Sequence, residues 1–143
     1  MAVITAPTAR AAELLPTTEL AQALDLYLAQ LNLTTDTDTR EKYPSLYAAG
    51  QQITFDIDPG ARKAGKFFRI VAVRQGRVES VHAFIERATG KVVKAAGWAA
   101  PAKSTAKATK GELLSRYTLA DIEPLLAAVS VPSAQYGRYL YQS

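Results

Sequence analysis

The spacing of apolar residues changes from a helical to an alternating pattern near residue 53, and this change restricts the chain to a mixed α and β fold. Between residues 18 and 31, large apolar side chains recur every three or four positions, which predicts a helix with one buried face and with Thr17 or Thr18 as its cap. We expect the Thr- and Asp-rich run 34–39 to end it. Between residues 53 and 58, apolar and polar residues alternate strictly, which predicts a strand with one face in water.

Two glycine-containing turns predict that the strand continues into an antiparallel meander. Gln75-Gly76 fits a two-residue hairpin turn, and Ala88-Thr89-Gly90 fits a three-residue hairpin loop whose glycine adopts a positive φ. These turns separate predicted strands at about 66–74, 77–86 and 91–96.

A second helical pattern over residues 118–129 predicts a C-terminal helix, and Pro124 favours a later start with Glu123 just before it. The predicted fold class is therefore α+β: an antiparallel four-stranded β-meander packed by an N-terminal and a C-terminal helix. At 143 residues the chain has the length of one domain. We expect residues 1–16 to be a flexible N-terminal arm and residues 17–143 a single α+β domain. Within that domain, residues 99–111 lack aromatic and large aliphatic side chains and are expected to form a mobile basic loop.

Composition excludes several classes of chemistry. The chain has no cysteine and one histidine, so disulfides, thiolate or histidine zinc sites and cysteine nucleophiles are excluded. We expect no cofactor and no catalytic residue, although Asp56 and Asp58 on one strand face leave a metal-dependent nuclease as an unfavoured alternative. No secretory pattern opens the sequence and no apolar run reaches the roughly 20 residues that span a bilayer, which predicts a soluble intracellular protein without a membrane partner.

Charge is distributed very unevenly along the chain. Residues 1–59 carry three basic and eight acidic side chains, a net of −5, whereas residues 60–116 carry thirteen basic and three acidic ones, a net of +10. A concentrated positive field on a small protein is typical of proteins that bind polyanions, most often nucleic acid.

Hairpin geometry predicts where these charges lie. With a turn at Gln75-Gly76, Phe67 falls opposite Phe84, and Arg69 falls opposite His82. The same reasoning places Val73 opposite Val78 and Lys94 beside Phe84. The predicted outer face then combines aromatic rings and cations: Phe67, Arg69, His82, Phe84 and Lys94. Rings among cations suit single-stranded nucleic acid, since bases stack on the rings and cations neutralise phosphates. The alternative, equally open, is that helices cover both faces of the sheet and that both phenylalanines belong to the core.

One segment of the chain resembles a known group of proteins. Residues 81–103 read VHAFIERATGKVVKAAGWAAPAK, which is similar to a segment with the pattern V-H-x-F-[IV]-x-x-x-T-G-x-V-x-K-A-A-x-W-x-A-P-A-K in small uncharacterised proteins of tailed bacteriophages. The resemblance implies a phage origin and no particular activity. It would place the protein in the cytoplasm of an infected bacterium or in the virion.

The leading hypothesis is a non-enzymatic phage accessory protein that binds nucleic acid, single-stranded in preference, on this basic aromatic face. Phe67 and Phe84 would stack bases. The cations that would contact phosphates are Arg69, Arg74, Arg77 and Lys94 on the sheet and Lys103, Lys107 and Lys110 in the basic loop.

For two further residues, the sequence leaves both a binding role and a structural role open. Trp98 would stack a base at the sheet edge or close the core. His82 would join the binding face or serve as a hydrogen-bonded structural residue. The rival function is a virion or host-interaction protein that works through protein contacts and forms a homo-oligomer, with the tyrosines at 136, 139 and 141 at an interface.

Overall fold

A five-stranded antiparallel sheet forms the centre of the fold. A computed structural model describes residues 6–132, apart from the side chain of Arg116. The strands follow one another in space as they do in sequence. They are β1 (Thr54–Ile57), β2 (Phe67–Arg74), β3 (Arg77–Glu86), β4 (Lys91–Lys94) and β5 (Ser115–Thr118). The prediction of an α+β fold with an antiparallel meander is confirmed, whereas the count of four strands is wrong because β5 adds a fifth.

Helices lie at both ends of the described chain. They are α1 (Ala9–Leu14), α2 (Thr18–Lys42), α3 (Pro44–Ala48) and α4 (Ile122–Val129), with a short 3₁₀ turn (Leu119–Asp121) before the last. Pro124 falls within the first turn of α4, where a missing N–H leaves no helical hydrogen bond unmade. Within residues 6–132, no helix combines the length and apolarity needed to cross a bilayer.

Helix α2 is longer than its apolar stripe predicts. Thr17 caps it by accepting a hydrogen bond from the Leu20 amide. The run 34–39 continues the helix instead of ending it, and ion pairs at i,i+4 spacing support the last turns: Asp36 with Arg40 at 2.7 Å and Asp38 with Lys42 at 3.0 Å. These pairs offset the weak helix propensity of Thr and Asp.

The N-terminal segment is more ordered than predicted. Residues 9–14 form α1, whose cap residue Thr8 donates from its amide to Asp25 at 2.7 Å. Ala11 and Leu14 are buried in the main core, so the expectation of a flexible arm is wrong for this part of residues 1–16. Residues 1–5 lie outside the described residues, as do the three tyrosines of the tail.

The main core lies between one face of the sheet and the helices. Tyr27, Leu24 and Leu31 of α2 are fully buried there together with Ile70 and Ile85 of the central strands. Burial of such side chains is worth roughly 1.5–3 kcal/mol each.

At the sheet edge, the Asn32 side chain completes the pairing of β1. It accepts from the Phe55 amide at 2.6 Å and donates to the Phe55 carbonyl at 2.9 Å. Asn32 therefore satisfies backbone groups that an edge strand leaves unpaired.

Two β-bulges in β3 change the register of the central hairpin. Val73 pairs with Val78, as predicted, but the register shifts between Ala72 and Val73 and again between Ile70 and Val71. The shifts leave Glu79 and His82 as extra residues in β3. Phe67 consequently lies opposite Glu86 rather than Phe84, and Arg69 lies opposite Phe84 rather than His82, so these two predicted pairings are wrong.

Candidate nucleic-acid interface

The sheet face opposite α2, here called the outer face, carries a small apolar layer of its own. Val71, Phe84 and Val93 are buried but do not belong to the main core. Phe84 stands between Arg69 on β2 and Val93 on β4. Since only 4% of Phe84 is exposed, the predicted stacking surface on this ring is largely covered. Of the two alternatives for the phenylalanines, burial therefore holds for Phe84, although the helices do not provide it.

Arg69 bridges this layer and the bend that follows β4. Its guanidinium lies 5.6 Å from the Phe84 ring centroid and 4.8 Å from the Trp98 ring centroid. Its Nε donates to the Trp98 carbonyl oxygen at 2.6 Å, and its Nη1 lies 3.4 Å from Asp58 Oδ2. Because these contacts occupy the guanidinium, Arg69 holds other residues in place and is poorly available to a phosphate.

Trp98 and Phe67 supply the ring surface that remains accessible. Trp98 is 51% exposed, which does not fit a residue that closes the core. Phe67 is half-buried, meets Phe84 edge-to-face at 6.2 Å, and has Lys66 Nζ 5.5 Å from its ring centroid. The exposed indole is supported from beneath by Arg69, an arrangement that favours one ring orientation.

His82 lies on the opposite side of the sheet from this site. Its Nε2 is 3.0 Å from the Tyr27 hydroxyl, and its ring centroid is 4.7 Å from that of Phe55. Tyr27 and Phe55 both belong to the main core. The bulge at His82 turns this side chain toward α2, so its predicted place on the outer face is wrong and the structural reading applies.

The predicted phosphate contacts on the strands fall into three different environments. Lys94 is exposed, but it pairs with Ala83 of the main core, whereas Val93 pairs with Phe84. Its predicted place on the outer face is therefore wrong, because β4 pairs one residue out of the predicted register. Arg74 lies opposite Arg77 at the hairpin end. Arg74 Nε is 3.2 Å from Glu79 of the first bulge, while Arg77 is exposed.

Positive charge in this half of the chain is poorly compensated. Two of its three acids are engaged: Glu79 with Arg74, and the buried Glu86, which accepts from the Thr89 hydroxyl at 2.6 Å. Eight exposed cations between residues 60 and 115 have no acidic partner within the described part of the chain: Arg62, Lys63, Arg77, Lys91, Lys94, Lys103, Lys107 and Lys110. The field predicted from the sequence therefore lies on the surface.

The basic loop is built as an extension of the sheet. Ala95 bridges to Pro101 and Lys103 bridges to Leu113, and the Ala102 amide donates to the Lys94 carbonyl at 2.7 Å. The two arms of the loop thus pair with each other and with the end of β4, while Lys107 and Lys110 lie exposed near its tip. This pairing is hard to predict from the sequence, because alanine, serine and threonine show no strong alternation of apolar and polar residues here.

The two aspartates considered for metal binding do not act together. Asp58 is buried, accepts from the Gly60 amide at 3.0 Å and faces Arg69. Asp56 is exposed and accepts from the neighbouring Ile57 amide. No three His, Cys, Asp or Glu side chains gather into a possible metal centre anywhere in residues 6–132.

Comparisons with known proteins give a family match without an activity. A family model described as a family of unknown function (DUF7717) matches residues 7–123, which includes all five strands, the bend at Trp98 and the basic loop. Neither the curated proteins nor the solved structures contain a significant match to this chain.

Proposed function

We propose that this chain, which belongs to the DUF7717 family of unknown function, is a phage accessory protein that binds single-stranded nucleic acid on the outer face of its sheet. The observation that carries the proposal is an exposed indole, Trp98, set beside exposed cations that have no acidic partner among the described residues. The phage setting, in the host cytoplasm or the virion, rests on the sequence resemblance of residues 81–103.

Stacking on Trp98 supplies the first part of the binding energy. A base on an accessible aromatic ring contributes about 1–3 kcal/mol and needs no particular sequence. The partly accessible Phe67 ring offers a second platform on the same face. Phe84 and Arg69 take supporting roles in this proposal, because the first is buried and the second is bound to Trp98 and Asp58.

Phosphate neutralisation supplies the second part. Lys103 follows the bend that carries Trp98, and Lys107 and Lys110 extend the positive surface along the loop. Lys94 takes no part, because its register places it on the α2 side of the sheet. A single strand can turn its bases toward the rings while its backbone follows the lysines of the loop, which a duplex cannot do. This difference supports a preference for single strands.

Fluorescence anisotropy tests the proposal directly. Labelled single-stranded DNA, single-stranded RNA and duplex DNA are titrated with the wild type, Trp98→Ala and Tyr43→Ala across a salt series. Tyr43 is a matched control because its ring is similarly exposed but lies between α2 and α3. We expect salt-sensitive binding that prefers single strands and weakens by at least fivefold in Trp98→Ala alone. Absence of binding at low salt would exclude the proposal.

A second candidate is self-association through α2, which matches the rival hypothesis of a protein-contact role. Leu26 and Leu33 are 53% and 60% exposed and stand seven residues apart, hence on one side of the helix. The acidic half of one copy would complement the basic sheet of another, so the proposed partner is a second copy of the chain. Light scattering during size exclusion should show an oligomer that becomes monomeric in Leu26→Glu/Leu33→Glu, and a monomeric wild type would exclude it.

A further inference from the structure

A cleft of about 500 Å³ lies away from Trp98, where the link between α1 and α2 faces the loop before β2 and the end of β3. Apart from Glu13, its wall is apolar on the helical side, and it is basic on the other side. The residues that shape it are Ala12, Leu15, Pro16, Lys63, Lys66 and Arg87. A volume of this size is within the range of clefts that bind small molecules, roughly 300–1,000 Å³.

Arg87 is the fixed element of the cleft. Its Nε donates to the Leu14 carbonyl at 3.0 Å and its Nη1 donates to the Gly65 carbonyl at 2.8 Å. These two bonds hold the guanidinium plane, while Nη2 has no hydrogen-bond partner in the described region. The side chain is therefore oriented in advance, with donor capacity left for a ligand.

The other charges around the cleft are mostly positive. Lys63 is exposed and has no partner within residues 6–132, and Lys66 reaches only a 3.7 Å ion pair with Glu86. Glu13 is the acid on the wall, and Arg10 lies 3.6 Å from its carboxylate, which offsets its charge. Three cations thus face a space with little negative charge of its own.

We infer that this cleft binds a small phosphorylated compound, a ligand beyond the nucleic-acid proposal. A phosphate monoester carries about −1.5 to −2 charges at pH 7. Three cations are therefore matched better by a phosphate ligand than by a carboxylate ligand, which carries one negative charge. The phosphate would lie against Arg87, Lys63 and Lys66. The body of the ligand would pack on Leu15 and Pro16, so both parts of the wall are used.

The test uses phenyl phosphate, with inorganic phosphate and phenol as its separate halves, at constant ionic strength. Binding is followed by amide chemical shifts, with circular dichroism as a check on folding of every variant. We expect saturable shifts at Gly65 and Ala88, tighter for phenyl phosphate than for either half. Lys63→Ala/Lys66→Ala should weaken binding at least tenfold, because it removes two of the three cations around the cleft. Both side chains are exposed, so their loss should leave the core intact. Lys107→Ala/Lys110→Ala removes the same charge far along the chain and should leave affinity unchanged.

Two outcomes would overturn the inference: no saturable shifts at the cleft, or equal weakening in both double variants, which would indicate unspecific charge attraction. Arg87→Lys adds a further check, since lysine lacks the planar fork and should weaken phenyl phosphate at least threefold. The Trp98→Ala variant separates this inference from the proposed function. It should keep phenyl phosphate binding while losing oligonucleotide affinity, so either idea can fail alone.

Discussion

Arg69 and Trp98 are joined by two contacts of different kinds: a 2.6 Å hydrogen bond from Arg69 Nε to the Trp98 carbonyl oxygen, and a guanidinium that lies 4.8 Å from the centroid of the indole. The first fixes the backbone of the bend after β4, and the second fixes the ring. Asp58, buried and 3.4 Å from Nη1, fixes the arginine in turn. The exposed tryptophan is therefore positioned by a partly buried ion pair between Arg69 of β2 and Asp58 at the end of β1.

Replacement of Arg69 by lysine should release Trp98. Lysine cannot donate to the Trp98 carbonyl and reach Asp58 at the same time, so one of the two contacts is lost. Loss of the partner of the buried Asp58 carboxylate would cost about 1–3 kcal/mol. Trp98 is the only tryptophan in the chain, so intrinsic fluorescence reports its surroundings alone. We expect stronger acrylamide quenching and a lower midpoint of urea unfolding.

Arg77→Lys is the matched control for that experiment. Arg77 is an exposed strand arginine without an acidic partner in the described residues, so its replacement should leave both measurements unchanged. Equal quenching in wild type and Arg69→Lys would show that the bend holds Trp98 without the arginine.

The two outer-face phenylalanines should differ in what they do for stability. Phe84→Ala removes a buried ring beneath Arg69 and should cost about 3–5 kcal/mol of unfolding free energy. Phe67 is half-buried, so Phe67→Ala should cost clearly less and should act mainly on oligonucleotide affinity. Urea denaturation of both variants measures the first effect, and anisotropy measures the second. Equal destabilisation by the two substitutions would contradict this division of roles.

Substitution of Gly90 by alanine should destabilise the protein more than substitution of Gly76. Comparison of the two glycines separates steric overlap from backbone strain. Gly90 and Gly76 share a φ of 76°, but a Cβ on Gly90 would lie 2.8 Å from Leu20 Cδ2 and 3.1 Å from Leu119 Cβ, whereas a Cβ on Gly76 meets nothing within 4 Å. Gly76→Ala should cost about 1–2 kcal/mol from backbone strain alone. Gly90→Ala should add about 1–3 kcal/mol for overpacking. Equal losses in thermal unfolding would mean that Leu20 moves aside freely.

Much of the fold could be predicted because its turns and strand alternation are local. Gln75-Gly76 and Ala88-Thr89-Gly90 mark the two hairpins found in the structure, and Phe55 and Ile57 form the buried side of β1. The errors come from interactions between distant segments. Strand β5 forms where the chain returns to β4, with Lys91 paired to Thr118 and Val93 to Ser115, and four residues carry too short a pattern to reveal it.

The candidate site was predicted only in part, because the register depended on two bulges. Each extra residue in β3 moved the pairing by one, so Arg69 met Phe84 and His82 turned toward Tyr27. The outer face kept Phe67, Arg69 and Phe84 because the two one-residue shifts add up to two, which returns these side chains to the same face. The residues next to the bulges form no sequence pattern that predicts them. Glu79 gains Arg74 as a partner and His82 gains Tyr27, and both contacts exist only in the folded chain.

The salt dependence of binding should identify which lysines contact phosphates. For single strands, the logarithm of affinity falls with the logarithm of salt concentration with a slope of about −0.7 for each phosphate neutralised. Lys103→Ala and Lys107→Ala, from the base and the tip of the basic loop, should therefore each reduce the slope by roughly 0.7 if both lysines lie along the strand. Lys42→Ala is the control, since it removes the same charge from the end of α2, where the lysine pairs with Asp38 at 3.0 Å. An equal decrease for all three variants would assign the slope to net charge. A decrease for Lys103→Ala alone would confine the bound strand to the bend at Trp98, because Lys107 lies beyond the residues that pair with β4.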